Sequence, residues 1–183
     1  MGLSLIKAHP EGIPLTSGSS EKAQQAINGA DILIDCTTSD SAFEWLNNYA
    51  VKNNKILISV FFDFYAKHLT LCISGKETPC GKIYQELFCL AKNNELPVSS
   101  EEYFYEPDKE EEIIEGAGCW HPTFPALYNH IQILAAAAVD LINEHLEQGG
   151  GRGLVAIVKR NRFEAGNTCP FPLVTIIWAK DYL

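Results

Sequence analysis

The sequence predicts an α/β protein: a partial Rossmann-like parallel sheet with flanking helices, followed by a C-terminal antiparallel β-hairpin. Three observations lead there. Residues 31–36, Asp-Ile-Leu-Ile-Asp-Cys, form a short apolar run that reads as a buried strand. An amphipathic helical pattern follows, and a β-rich run at residues 55–61 comes directly after it. Strand, helix and strand in this length make a βαβ crossover, which joins parallel strands. Finally, two β-rich runs at residues 154–160 and 172–179 are joined by a polar turn, the pattern of an antiparallel hairpin.

Taken in order, residues 1–20 are rich in Gly, Pro and Ser and make an irregular start, with residues 13–16 a candidate short strand. Residues 21–28 form a short helix closed by Asn28-Gly29. After the strand at 31–36, Ser41-Ala42-Phe43-Glu44 has capping-box spacing and opens a helix. That helix carries Phe43, Leu46, Ala50 and Val51 on one side and is ended by Asn53-Asn54. Residues 69–74 form a further strand. Residues 83–92 form a helix with Ile83, Leu87, Leu90 and Ala91 as its apolar stripe. The longest helix spans residues 125–148, with Pro125 near its first turn and a wide apolar face of Leu127, Ile131, Leu134, Ala138, Leu141 and Ile142. Gly149-Gly150-Gly151 ends it. The glycine run follows a helix instead of opening one and has no P-loop lysine or hydroxyl, so it is no phosphate loop. The whole chain reads as one domain: the start at 1–20, an α/β part at 21–147 and a hairpin tail at 148–183.

Hydrophobic content of 46% and charged content of 20% fit an ordinary globular chain. No run of about 18 apolar residues occurs and the first residues lack a signal-peptide pattern, so the expected location is the cytoplasm. The net charge is −9, and residues 101–115 hold eight acidic residues against one lysine. Such a chain repels nucleic acid. The acidic run is a solvated loop or, with Tyr103, Phe104 and Tyr105 interleaved, a docking loop for a basic surface. The six cysteines include no Cys-x-x-Cys pair, which removes the usual structural zinc site; thiols are expected, with Cys36, Cys72 and Cys89 in the core.

Cys119 is the main candidate for chemistry. It lies in Gly116-Ala117-Gly118-Cys119-Trp120-His121, just ahead of the long helix. Loop amides and a helix N-terminus favour a thiolate, and His121 offers a positive charge or a base. A small half-buried cysteine in a turn is the alternative reading of the same residues.

Two separated segments point further. Ala30-Asp31-Ile32-Leu33-Ile34-Asp35-Cys36-Thr37-Thr38, followed by helix and strand, resembles the part of ThiF/MoeB-type and ubiquitin-activating-enzyme-like proteins that ends a strand near the ATP phosphates. Cys119-x4-Phe124-Pro125-x4-His130, running into an alanine-rich helix, resembles the catalytic-cysteine motif of the same superfamily. The resemblance covers roughly residues 20–147. It implies a protein that uses Mg-ATP to adenylate the C-terminal carboxylate of a ubiquitin-like or sulfur-carrier protein. It implies Cys119 as the acyl acceptor, with His121 or His130 orienting or deprotonating the thiol. It also implies a nucleotide-side cluster of Asp35, Thr37, Thr38 and Asp40. Thr38 stands where the superfamily places its magnesium-binding aspartate; Asp40 either substitutes for it or caps the following helix. The Gly-x-Gly-x-x-Gly turn that holds ATP does not occur in this sequence. A portion of the fold that relies on other residues for ATP, or a non-catalytic interaction module of the same fold, is therefore expected. A truncated sheet and an apolar helix imply a homo- or hetero-oligomer.

Overall fold

The structure is a computed structural model that describes residues 20–37, 39–63, 66–98, 128–149, 151–161 and 174–182. Its elements are α1 (Glu21–Gly29), β1 (Ile32–Asp35), α2 (Asp40–Lys52), β2 (Ile56–Phe62), β3 (His68–Ile73), α3 (Cys80–Lys92), α4 (Tyr128–Glu147), β4 (Gly153–Arg160) and β5 (Val174–Tyr182). The strands form a five-stranded sheet in the order β1-β2-β3-β4-β5. β1 and β2 are parallel, as the crossover requires, and β4 and β5 make the expected antiparallel hairpin. β2–β3 and β3–β4 are antiparallel as well. Only a short connection separates β2 from β3, and a parallel return needs a dozen or more residues, so the chain must double back. Asp63 N–H closes that turn on His68 O at 3.2 Å.

The helices start and stop for local reasons. Ser20 caps α1 by accepting from Ala23 N–H at 3.2 Å. Lys55 Nζ donates to Asn28 O at 2.8 Å and Ala30 O at 2.5 Å, satisfying carbonyls at the other end of α1. The start of α2 differs from the sequence expectation. Ser39, extended at φ −99° and ψ 113°, is the cap, accepting from Ala42 N–H at 3.3 Å. Ser41 therefore lies inside the first turn. Asp40 is the first helical residue, where a negative charge favours the helix dipole without capping. Val51 is 59% exposed, and Ala42 takes its place on the buried face beside Leu46 and Ala50. Asn54, at φ 51°, turns the chain out of α2 as expected.

α3 begins at Cys80, earlier than the apolar stripe alone implies. Pro79 precedes it and has no side chain to cap with. Asn47, on α2, supplies the missing acceptor: its Oδ1 takes the Gly81 N–H at 3.0 Å. One helix thus caps another, fixing α3 against α2.

The sheet is covered on both sides. α2 and α3 lie on one face around Leu46, Leu57, Cys72, Ile83, Leu87 and Val155. α4 lies on the other around Ile58, Leu69, Leu71, Ile73, Leu134 and Ala138. Every residue of β3 is buried. β1 is not the buried strand expected from its composition. Leu33 and Asp35 are buried under α2, but Ile34 on the opposite face is 61% exposed. β1 lies at the end of the sheet, and α4 packs over β3 and β4. The β4–β5 pairing has an irregularity after Ile157: Ile157 pairs with Trp178 and Val158 with Ile176, leaving Ile177 as an extra residue.

Replacing Asn47 with Ala should cost about 1 kcal/mol, the usual loss for a removed helix cap, read as a lower urea midpoint at unchanged slope. Gly75→Ala should cost about 1–3 kcal/mol or more, because its Cβ would run into the backbone of Arg152 and Gly153, which cannot swing away.

Candidate functional site

The parallel strands β1 and β2 end side by side, and open α/β sheets bind ligands beyond such ends. Asp35 ends β1 and is 2% exposed. Its Oδ1 accepts from Thr37 N–H at 2.9 Å and from Thr37 Oγ1 at 2.8 Å. This is an Asx turn, in which a short acidic side chain ties down backbone two residues on. The chain of contacts continues: Ser39 N–H donates to Thr37 Oγ1 at 3.4 Å, and the Ser39 and Ser41 hydroxyls lie 3.0 Å apart. Asp35 and Thr37 are therefore joined in the β1–α2 turn, and Asp40 follows as the first residue of α2. Asp40 is exposed there. Thr38 lies outside the described residues, as do Cys119 and His121 and the whole acidic run at 101–115.

His130 is half-buried in the first turn of α4. α4 packs on the face opposite α2, so His130 and the Asp35 turn belong to different layers.

Two further features at this end of the sheet escaped the sequence reading. In the β2–β3 turn, His68 Nδ1 lies 2.7 Å from Asp63 Oδ2, with both residues buried. The other Asp63 oxygen accepts Lys67 N–H at 2.7 Å. A carboxylate on one ring nitrogen fixes the orientation of the imidazole. The available signal was an acid and a histidine five residues apart between two β-rich runs. The second feature is a cavity of about 790 Å³ between α2 and α3, lined by Phe43, Phe61, Tyr84 and Phe88 among others. Tyr84 lies 5.2 Å from Phe43 and 5.6 Å from Phe61, centre to centre, and its hydroxyl donates to Ser59 O at 3.4 Å. Another cavity, of about 500 Å³, lies at the opposite end of the sheet beside Asn54, Lys55 and Lys76; none of the sequence-predicted site residues lines it.

The cysteines divide differently from expectation. Cys72 is in the core as expected, and Cys80 joins it. Cys36 and Cys89 are exposed. Cys36 follows the last residue of β1. Cys89 falls on the outer side of α3, away from the Ile83, Leu87 and Ala91 stripe. Partial burial, and then the negative charge of Asp35, push the Cys36 thiol above its ordinary value.

The donors among the described residues do not compose a Mg-ATP site by themselves. One oxygen of Asp35 already takes two hydrogen bonds within its own turn. Among the described residues, no three His, Cys, Asp or Glu side chains are grouped to hold a metal ion. No helix among those residues is long and apolar enough to cross a membrane.

No family model matches the chain. The chain is similar to the ATP-dependent ubiquitin transferase-like protein Cap2 of Enterobacter hormaechei subsp. hoffmannii (strain UCI 50), 30% identical over 123 residues. That stretch is 67% of this chain and 19% of the relative, so the chain spans about a fifth of the length of the curated relative it matches. The likeness agrees, as a distant relationship, with the superfamily that the Asp35 and Cys119 segments resemble.

Because Asp35 raises the Cys36 thiol only after burial does, Asp35→Asn should speed Cys36 alkylation by iodoacetamide at pH 7.5. Removing a neighbouring negative charge favours the thiolate. A slower reaction in the variant would mean that the charge of Asp35 has no such influence.

Proposed function

We propose that this chain is the C-terminal portion of a ThiF/ubiquitin-activating-like adenylyltransferase, acting on the C-terminus of a ubiquitin-like or sulfur-carrier protein. The observation that carries this reading is the similarity to an ATP-dependent ubiquitin transferase-like protein over 67% of the chain. The parallel β1–α2–β2 unit supports it, because the Asp35 turn follows the carboxyl end of a parallel strand, the kind of position where open α/β sheets bind ligands. So does the position of β1, which among the described residues pairs with β2 alone and leaves an edge for further strands. In this reading ATP is held mainly by residues outside this chain. Cys119 receives the acyl group from the adenylate: its sulfur forms the thioester bond and AMP leaves. His121 and His130 are the candidate groups for orienting or deprotonating the thiol.

A second reading, a non-catalytic interaction or dimerisation module of the same fold, is favoured by two observations. The sequence contains no Gly-x-Gly-x-x-Gly turn, and Asp35 is engaged by its own turn.

One experiment separates them. The chain is combined with a nucleotide-binding portion from a relative, Mg-ATP and a ubiquitin-like protein, and resolved on a non-reducing gel. A covalent adduct cleaved by dithiothreitol and abolished by Cys119→Ala is the expected result. An adduct that survives Cys119→Ala removes the cysteine assignment. Stable association without nucleotide and without any adduct supports the interaction module instead.

A further inference from the structure

Cys72 and Cys80 form a buried dithiol that neither functional reading uses. Cys72 lies in β3 and faces the layer of α2 and α3; Cys80 is the first residue of α3. Both are fully buried. The Cys80 thiol donates to Leu57 O at 3.3 Å and lies 3.8 Å from Cys72 O. The connection between them is tight. Ser74 N–H donates to Leu57 O at 2.8 Å, Ser74 Oγ accepts from Leu57 N–H at 2.8 Å, and Gly75 N–H donates to Thr78 O at 2.9 Å. This holds the end of β3 and the start of α3 against the same residue of β2.

Burial pushes the Cys72 thiol well up, and its hydrogen bond to the Cys80 thiol adds to that. Cys72 therefore stays protonated and waits on its neighbour. Cys80 is itself fully buried, but its chain neighbours reach cavities: Pro79 before it lines the one at one end of the sheet, and Gly81 after it lines the aromatic one. The first turn of α3 has no cap of its own and hangs on Asn47.

We propose that Cys72 and Cys80 are a reversible two-electron redox site, closed to a disulfide by a small peroxide that enters when the first turn of α3 opens. The Cys80 sulfur attacks the peroxide, forming an S–O bond as the O–O bond breaks, and its thiol proton leaves with the departing hydroxide as water. The Cys72 sulfur then attacks the Cys80 sulfur. The S–S bond forms, the S–O bond breaks, and the Cys72 proton leaves with the hydroxyl as a second water. Each sulfur gives up one electron, and the peroxide is reduced to two waters. A dithiol reductant reverses the step by exchange.

The test treats the folded full chain with hydrogen peroxide, blocks remaining thiols in denaturant with N-ethylmaleimide, and maps peptides by mass spectrometry. The expected product is a peptide linking Cys72 to Cys80, lost on dithiothreitol treatment. It should form equally in a chain whose other four cysteines are replaced by serine. Asn47→Ala, which loosens the first turn of α3, should speed the linkage severalfold. The proposal is overturned if peroxide oxidises other cysteines while Cys72 and Cys80 remain unlinked. It is equally overturned if the linkage forms only in unfolded chain, or if Asn47→Ala leaves its rate unchanged.

Discussion

β3 is the strand on which the molecule depends. It is covered on both faces, and its backbone is paired on both sides, to β2 and to β4. Leu69, Leu71 and Ile73 serve the α4 layer, while Cys72 serves the layer of α2 and α3. A buried strand has to satisfy all its backbone groups in the sheet, so its neighbours have little freedom in register. The elements that come before and after β3 are placed against it. The one buried polar side chain at its centre, Thr70, has a hydroxyl without a hydrogen-bond partner. Leaving such a group unpaired costs on the order of 1–3 kcal/mol, which shows how strongly packing dominates there.

The fold class was legible because its signals are local. The alternation of an apolar run, a 3.6-residue pattern and a second apolar run needs only neighbours in sequence to be read, and the parallel crossover follows from it. Helix α3 was legible through Ile83, Leu87 and Ala91 but not at its start. Its cap comes from Asn47, on another helix, and no local pattern announces that. The burial of β1 was misjudged for the same reason. Ile32 and Ile34 look like core residues until the sheet order puts β1 at an edge. The exposure of Cys36 and Cys89 likewise depends on what covers them. The Asp35 turn was found because strand ends and caps leave marks in sequence. The His68–Asp63 pair was missed because its residues become neighbours only when β2 and β3 fold back.

The candidate site shows a division between scaffold and chemistry. After β1, hydrogen bonds tie Asp35, Thr37 and Ser39 to one another before any ligand arrives. Preorganisation of this kind lowers the entropic cost of binding. It also limits what Asp35 has left to offer a ligand. The His68–Asp63 pair stabilises the adjacent turn in the same manner. Hydrogen bonds thus brace described residues in both connections at this end of the sheet.

The irregularity in the β4–β5 ladder governs which sequence changes the last strand can absorb. In a regular strand neighbouring side chains face opposite ways. The extra residue lets Ile177 and Trp178, consecutive in sequence, both pack against the core under α2 and α3. The strand therefore has two phases of alternation, one before Ile177 and one after it. A one-residue deletion elsewhere in β5 would reverse inside and outside for every position beyond it. A deletion at the extra residue would instead merge the two phases into one. Insertions and deletions in this strand differ in consequence according to which side of a single residue they fall.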